Sequence, residues 1–426
     1  MPDASTLHAQ ALGAHRAGRY AVARRMLLRA QRSRPDADLN GRIELALAYV
    51  EAETGHPAAG LQRCQAALQL EGIGDVTRGL IWSQLGLLHM RTGESDTALS
   101  EFAQAITLLQ AEPEHHGRAL LNQGTLRLSA ADPSGAARDL AMARDELIGA
   151  GAEIPAAKAE HNLGYARLLT GDLVGSLALM ESAARVLAPL SDVSRAQGEQ
   201  DRAEVLLAAG RPREAARALR AAADAYGQQR VRRFQAECEY VLARTLLRED
   251  PREARVVARR SARRFAAHGA PAWADRAEAL AIAASIRTGV RAPSVLARAD
   301  ELEASLRDEG LDGEADQLAL IATRLVLRRG DLDDAEQRLA RVRLAKGAPI
   351  PLRLLRQEVR ADLATARHQR AQARREITRG LTALHRWQSS FGSLDLQSTL
   401  VGHGRGLATR GLASALDDGR PALVYE

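Results

Sequence analysis

The stretch Trp82-Ser83-Gln84-Leu85-Gly86-Leu87-Leu88-His89, followed by Gly93-Glu94-Ser95-Asp96, Ala98, Phe102 and Ala105, decides the fold. Its apolar residues recur at spacings of three and four on both sides of Gly93, as in Trp82, Leu85 and Leu88 and again in Ala98, Phe102 and Ala105. That is the period of a helix with one buried stripe. Gly93 followed by Glu-Ser-Asp is helix-stop and helix-start chemistry. The stretch therefore predicts helix, tight turn, antiparallel helix.

Outward from Gly93 the same signal repeats at Gly18, Gly55, Ala131, Gly171, Gly210, Asp250, Gly289, Gly330 and Arg370. Successive anchors, Gly93 included, are 37, 38, 38, 40, 39, 40, 39, 41 and 40 residues apart. Seven residues before the first seven anchors stand Ala11, Ala48, Gly86, Gly124, Gly164, Ala203 and Ala243. Twelve residues after them stand Ala30, Ala67, Ala105, Ala143, Ala183, Ala222 and Ala262. Small residues at fixed helical positions let paired helices approach closely. Prolines (Pro35, Pro57, Pro113, Pro133, Pro212, Pro251, Pro293) fall at joints and turns. A helix pair with one apolar face cannot bury it alone, so neighbouring units stack.

The pattern around Trp82 to Ala105 resembles the tetratricopeptide repeat almost position for position, and Asn162-Leu163-Gly164-Tyr165 with Gly171-Asp172 is similar to it. The resemblance spans about residues 5 to 387, with the seventh, eighth and tenth units degenerate. It implies an all-α fold, a right-handed α-solenoid of about ten helix pairs over residues 1–387, with a C-terminal helical cap or linker over 388–426 and a helix near Leu394 to Leu416. A period near 40 resembles the long-helix variants of bacterial regulators and motor-protein adaptors. A narrower resemblance, carried by Arg264-Phe265, Pro271-Ala272-Trp273-Ala274, Leu325 to Asp331 and Gly402 to Ala408, is to the helical arms of actinobacterial CHAT proteins, where a caspase-like cysteine peptidase follows the repeats. Here the sequence stops at Tyr425-Glu426, with no His–Cys pair in the peptidase's place, so further structure beyond it is expected.

Composition narrows the function. The chain has 426 residues, 46% hydrophobic and 26% charged, with only 3 Trp, 6 Tyr and 4 Phe, which excludes collagenous and disordered classes. The longest uncharged apolar stretch is Gly79 to Met90, short of the roughly 20 residues of a membrane span, and no signal-peptide pattern opens the chain. No membrane partner is expected. Cys64 and Cys238 are the only cysteines, so no disulfide framework or zinc quartet forms, and a reducing, cytoplasmic compartment is expected. They read as small buried hydrophobes. His115-His116, in a joint after Pro113, and His403, in Gly402-His403-Gly404, lack further ligands at metal spacing. No phosphate-binding or dinucleotide glycine loop occurs, and Gly402-x-Gly404-x-Gly406 follows no strand. Neither catalysis nor a cofactor or metal is expected.

Formal charge is +6, and of 59 basic residues only Lys158 and Lys346 are not Arg. Residues 1–229 hold 24 basic and 27 acidic groups; residues 230–426 hold 35 and 26. Within 230–265 there are 11 Arg against 5 acids. Nucleic-acid binding by this basic half is the alternative reading. Against it, Glu237, Glu239 and Glu253 interleave with the arginines, and only Phe234, Tyr240 and Phe265 offer rings.

One polar row stands out. Nine residues before anchors three to six lie Gln84, Asn122, Asn162 and Asp201, where the other units have Ala9, Ala46, Val241, Leu280, Ile321 and Ala361. The repeat resemblance implies that this position faces the concave groove, where long-repeat relatives hold peptides. Amides both donate and accept, as an extended peptide backbone requires. Arg91, Arg118, Thr125, Lys158, His161, Tyr165 and Glu204 flank the row, and the cations among them suit acidic side chains or a C-terminal carboxylate. The expected partner is an extended, net-acidic peptide or protein segment. The chain then serves as scaffold or sensor, either as the arm of a CHAT peptidase or as the arm of a transcriptional or signalling regulator.

Overall fold

A computed structural model describes residues 3–290, 292–345, 347–389 and 401–417. All regular structure among them is helical. The chain divides into two compact units, Met1–Leu187 and Ala188–Glu426.

The first unit holds five hairpins: α1 (Ala4–Arg16) with α2 (Tyr20–Arg32), α3 (Ala37–Glu53) with α4 (Pro57–Leu68), α5 (Asp75–Thr92) with α6 (Ser95–Leu108), α7 (Pro113–Ser129) with α8 (Pro133–Gly149), and α9 (Glu153–Thr170) with α10 (Leu173–Leu187). The second holds five more: α11 (Asp192–Ala208) with α12 (Pro212–Gln228), α13 (Arg232–Leu246) with α14 (Pro251–Ala267), α15 (Pro271–Arg287) with α16 (Pro293–Asp308), α17 (Asp312–Arg329) with α18 (Leu332–Arg341), and α19 (Ile350–Ala366) with α20 (Arg370–Ser389). A further helix, α21 (Val401–Asp417), packs on α19 and α20. Leu394 lies outside the described residues.

The anchors mark the turns. Gly93 has φ 87°, and the Glu94 amide donates to the His89 carbonyl at 2.9 Å, which closes α5. Ala131 adopts the same left-handed backbone at φ 59° without glycine, at a cost of about 1 kcal/mol. Two anchors need correction. In the tenth unit the left-handed residue is His368, and Arg370 already begins α20. In the seventh, Asp250 is itself the N-cap of α14, accepting from the Glu253 amide, a role that falls one residue after the anchor in units such as Ala131 and Gly330. The register there slips by one. Ser261 is accordingly the fully buried residue, and its hydroxyl donates to the Ala236 carbonyl at 2.9 Å, while Ala262 is only half-buried. Prolines sit mostly as the first helical residue, as in α4, α7, α8, α12, α14, α15 and α16, where no amide partner is needed.

The small residues have the geometry that close pairing requires. A Cβ on Gly86 would stand 2.7 Å from the Phe102 ring, one on Gly124 2.6 Å from Leu140, and one on Gly164 3.0 Å from Met180. The contact recurs sixteen residues on in three successive hairpins. Phe102 is thereby sealed completely from solvent, a burial worth about 1.5–3 kcal/mol. In α21, Gly404 and Gly406 act likewise: Cβ atoms there would lie 2.2 Å from Leu384 Cδ2 and 2.2 Å from Glu358 Oε1. These glycines are docking residues.

In the first unit, consecutive first helices touch (α1 with α3, α3 with α5, α5 with α7, α7 with α9), whereas consecutive second helices share no comparable contact. The inner surface of this unit is therefore built by α1, α3, α5, α7 and α9. One stretch, Leu173–Leu190, has mean hydropathy 1.4 and the length to cross a membrane by composition alone. It carries Glu181 and Arg185, and its buried Leu173, Ser176, Met180 and Ala183 form a single stripe in a helix packed on α9.

Candidate functional site

On α9 of the first unit, the residue nine before the turn lies at the seam with the preceding inner helix, α7. Asn162 on α9 shows this directly: its Nδ2 donates to Thr125 Oγ1 on α7 at 2.9 Å. The Thr125 hydroxyl donates in turn to the Leu121 carbonyl at 2.7 Å. Gln84, on α5, is sunk further, to 3% exposure, with no hydrogen bond to its Oε1 among the described residues. It does not reach an accessible surface, contrary to the sequence expectation. Asn122 is half-buried on α7, and its amide makes no hydrogen bond among the described residues.

Around this seam lie the flanking groups. Arg118, one turn before Asn122, is exposed and bonded to Glu114 through Nε at 3.0 Å and Nη2 at 2.8 Å. Arg91 reaches across to Glu53 on α3 at 3.1 Å. Lys158 is exposed, and His161 and Tyr165 are half-buried on α9. Sequence reasoning missed Tyr49 on α3. Tyr49 is 37% exposed. Burial raises the pKa of its phenol and the Cys64 thiol adds to the rise, while Arg118 and Arg91 act in the opposite sense, so α3, α5 and α7 all contribute. The signal was available: Tyr49 stands six residues before its anchor, the register of Thr125, Tyr165 and Glu204.

Asp201 and Glu204 belong to α11, in the second unit. Gln84, Asn122 and Asn162 belong to the first unit. Asp201 is half-buried and raises the pKa of the neighbouring Tyr226 phenol and Cys238 thiol, in each case after the larger effect of burial.

The remaining candidates resolve into packing. Cys64 and Cys238 are both fully buried, and burial pushes each thiol up to about 12. His116 lies inside the first turn of α7 rather than in a joint, and its Nδ1 is 2.5 Å from Glu146 Oε2 on α8. His89 Nδ1 lies 2.7 Å from Glu101 Oε2, within the fifth and sixth helices. Among the described residues no three His, Cys, Asp or Glu side chains converge as a metal site.

Three arginines of the basic run 230–265, Arg233, Arg260 and Arg264, are paired where they stand. Arg260 and Arg264 clasp Glu239, itself 1% exposed, at 2.6 and 2.9 Å. Arg233 pairs with Glu237 at 3.1 Å, and Glu253 takes Arg220 at 2.7 Å. Phe265 stacks on Trp273 at 5.5 Å between centroids, and Tyr240 meets the same indole edge-on at 5.6 Å. These rings are occupied by one another.

No family model matches this sequence, and no curated protein is significantly similar to it. Similar solved structures do exist. The apo form of the quorum sensor NprR from B. thuringiensis superposes with a TM-score of 0.61 at 12% identity, over 79% of this chain and 96% of that one. The apo form of RapI gives 0.59 at 8% identity, over 79% and 95%. A Rap protein complexed with competence and sporulation factor gives 0.54 at 11% identity, over 85% and 99%. The fold is shared: an all-α, tetratricopeptide-like helical repeat.

Proposed function

We propose that this chain is a protein-interaction module that holds an extended, net-acidic peptide or protein segment on the inner helices of its first unit, and so acts as a sensor or scaffold. The observation that carries the reading is Asn122. Its half-buried amide has no partner among the described residues, yet it stands one turn from Arg118 and beside the helix that bears Lys158, His161 and Tyr165. An amide in that state lacks a donor–acceptor pair that a peptide backbone supplies, each bond being worth about 0.5–1.5 kcal/mol. Exposed cations beside it favour carboxylates through charge-assisted bonds.

Kinship of fold supports the same reading, since a quorum sensor and a Rap protein held with competence and sporulation factor are built alike. The CHAT-like stretches extend it to the regulatory arm of a caspase-like peptidase, in a reducing cytoplasm. A sensor arm of a transcriptional or signalling regulator is the rival. Reading the gene beyond Glu426 separates them: a caspase-like His and Cys pair marks the first, a helix-turn-helix or ATPase domain the second.

The binding test is panning a random heptapeptide display library on the whole chain. Acidic sequences should be enriched, and the Asn122→Ala, Lys158→Glu double variant should bind them more weakly by about 2 kcal/mol, one lost hydrogen bond and one charge contact. Enriched peptides that bind the folded double variant with unchanged affinity would overturn the reading.

A further inference from the structure

We propose that the second unit carries a separate anion site that takes a compact oligophosphate, in a cleft of about 680 Å³ where α15, α17 and α19 end beside α21. Arg248, Arg287, Arg324, Arg328, Arg405 and Arg410 line it, against two carboxylates, Glu358 and Asp362. Both carboxylates are already engaged. Asp362 takes Arg410 through two bonds of 2.5 and 2.8 Å, and Glu358 takes Arg324 and lies 3.6 Å from Arg410. Arg328 donates to the Ile286 carbonyl at 2.8 Å. Arg287 and Arg405 are exposed and form no ion pair among the described residues.

The bland alternative is that these arginines merely cap helix ends. A helix C-terminus carries about half a negative charge. Three such ends offset about 1.5 charges, and the five guanidiniums other than Arg248 over two carboxylates leave an excess about twice that. The surplus is felt locally. Enclosure of its stem by the cleft walls lowers the pKa of Arg287 first, Arg248, Arg324 and Arg328 lower it further, and Glu358 opposes them. The positions are also held rather than merely adjacent: Gly406 lets the backbone of α21 approach Glu358, which grips Arg324.

The chemistry of the walls selects the ligand. Guanidinium forks match phosphate oxygens in pairs of bonds. No aromatic ring lines the cleft, and Leu327 and Ala366 are its apolar side chains, so nothing there stacks a nucleobase. The volume is that of a small-molecule site, about 300–1,000 Å³. A short phosphate chain, with several charges in little space, fits these walls better than a heterocycle does.

The test is calorimetric titration of the whole chain with inorganic tripolyphosphate at about 50 mM salt, where phosphate contacts are least screened. One site per chain is expected. Arg287→Gln with Arg405→Gln should weaken it by about tenfold or more, through loss of two charge-assisted contacts. Thr409→Glu, an exposed position lining the cleft, should weaken it by like-charge repulsion with the helix intact. Arg25→Gln with Arg29→Gln, which removes the same charge from exposed sites on α2, should leave it unchanged. Absence of binding, equal affinity in the cleft variants, or equal loss in the α2 variant would overturn the proposal. So would tighter binding, weakened by the cleft variants and not by Asn122→Ala with Lys158→Glu, of polyglutamate, which would assign the cleft to carboxylates, or of a single-stranded oligonucleotide, which would assign it to nucleic acid.

Discussion

Asn162 donates its side-chain amide to the Thr125 hydroxyl across 2.9 Å, joining α9 to α7. Both residues are candidates for ligand contact by sequence, and the structure makes them partners of each other. Truncating either should therefore act first on stability. Asn162→Ala and Thr125→Val should each cost about 1 kcal/mol, with a coupling of about 0.5–1.5 kcal/mol in the double-mutant cycle. Urea unfolding of the four proteins measures it, and strict additivity would show that the bond contributes nothing.

Gly86 is a packing residue whose own backbone is helical. A methyl group there would press on the fully buried Phe102 ring, at 2.7 Å. Gly86→Ala should destabilise by about 1–3 kcal/mol despite alanine's better helix propensity. Adding Phe102→Leu should recover part of that loss. A neutral or stabilising Gly86→Ala in thermal melts would contradict the close approach.

Both thiols should be silent in the folded protein. With each pKa pushed up to about 12 by burial, about one thiol in ten thousand is ionised at pH 8. Ellman's reagent should count no thiols in the native chain and two in urea. Rapid labelling of either under native conditions would mean that its hairpin opens readily.

Glu101 gives a pH signature. Burial raises its pKa above the ordinary carboxylate value, and the bond and charge of His89 only partly counter that. A raised folded pKa favours the protonated form in the native state, so this group's contribution to stability is present at low pH and is lost as pH rises through the folded pKa. Glu101→Gln should then be at least as stable as the parent at pH 7, with the advantage shrinking below pH 4.5. Melting temperatures across that range decide it; a variant less stable at pH 7 than at pH 4 relative to the parent would reverse the sign.

Much of the fold was legible because helical hairpins are local objects. The turn at Gly93, the period-3.6 stripes around it and the glycine opposite Phe102 all act within about 20 residues, the reach over which sequence spacing still translates into geometry. Even the slip at Asp250 is readable afterwards from its N-cap role. The candidate site was less legible. Spacing placed Gln84, Asn122 and Asn162 in one register and could not tell that Gln84 is sunk, that Asn162 is bonded, or that the half-buried amide of Asn122 has no partner among the described residues. Depth on a seam depends on how closely two inner helices approach, and side chains on both of them set it.

The sequence by itself determined the repeat, most of its turns and pairing residues, and the uneven spread of charge, because each of these depends on residue type and spacing along one chain. Only the tertiary structure decided which arginines are answered and which are not. Arg260 and Arg264 share the one charge of a buried Glu239, whereas Arg287 and Arg405 form no ion pair among the described residues in a cleft that four helices build. Charge is a sum along the chain, but the field at a site depends on distance and burial, and those exist only once the helices have packed.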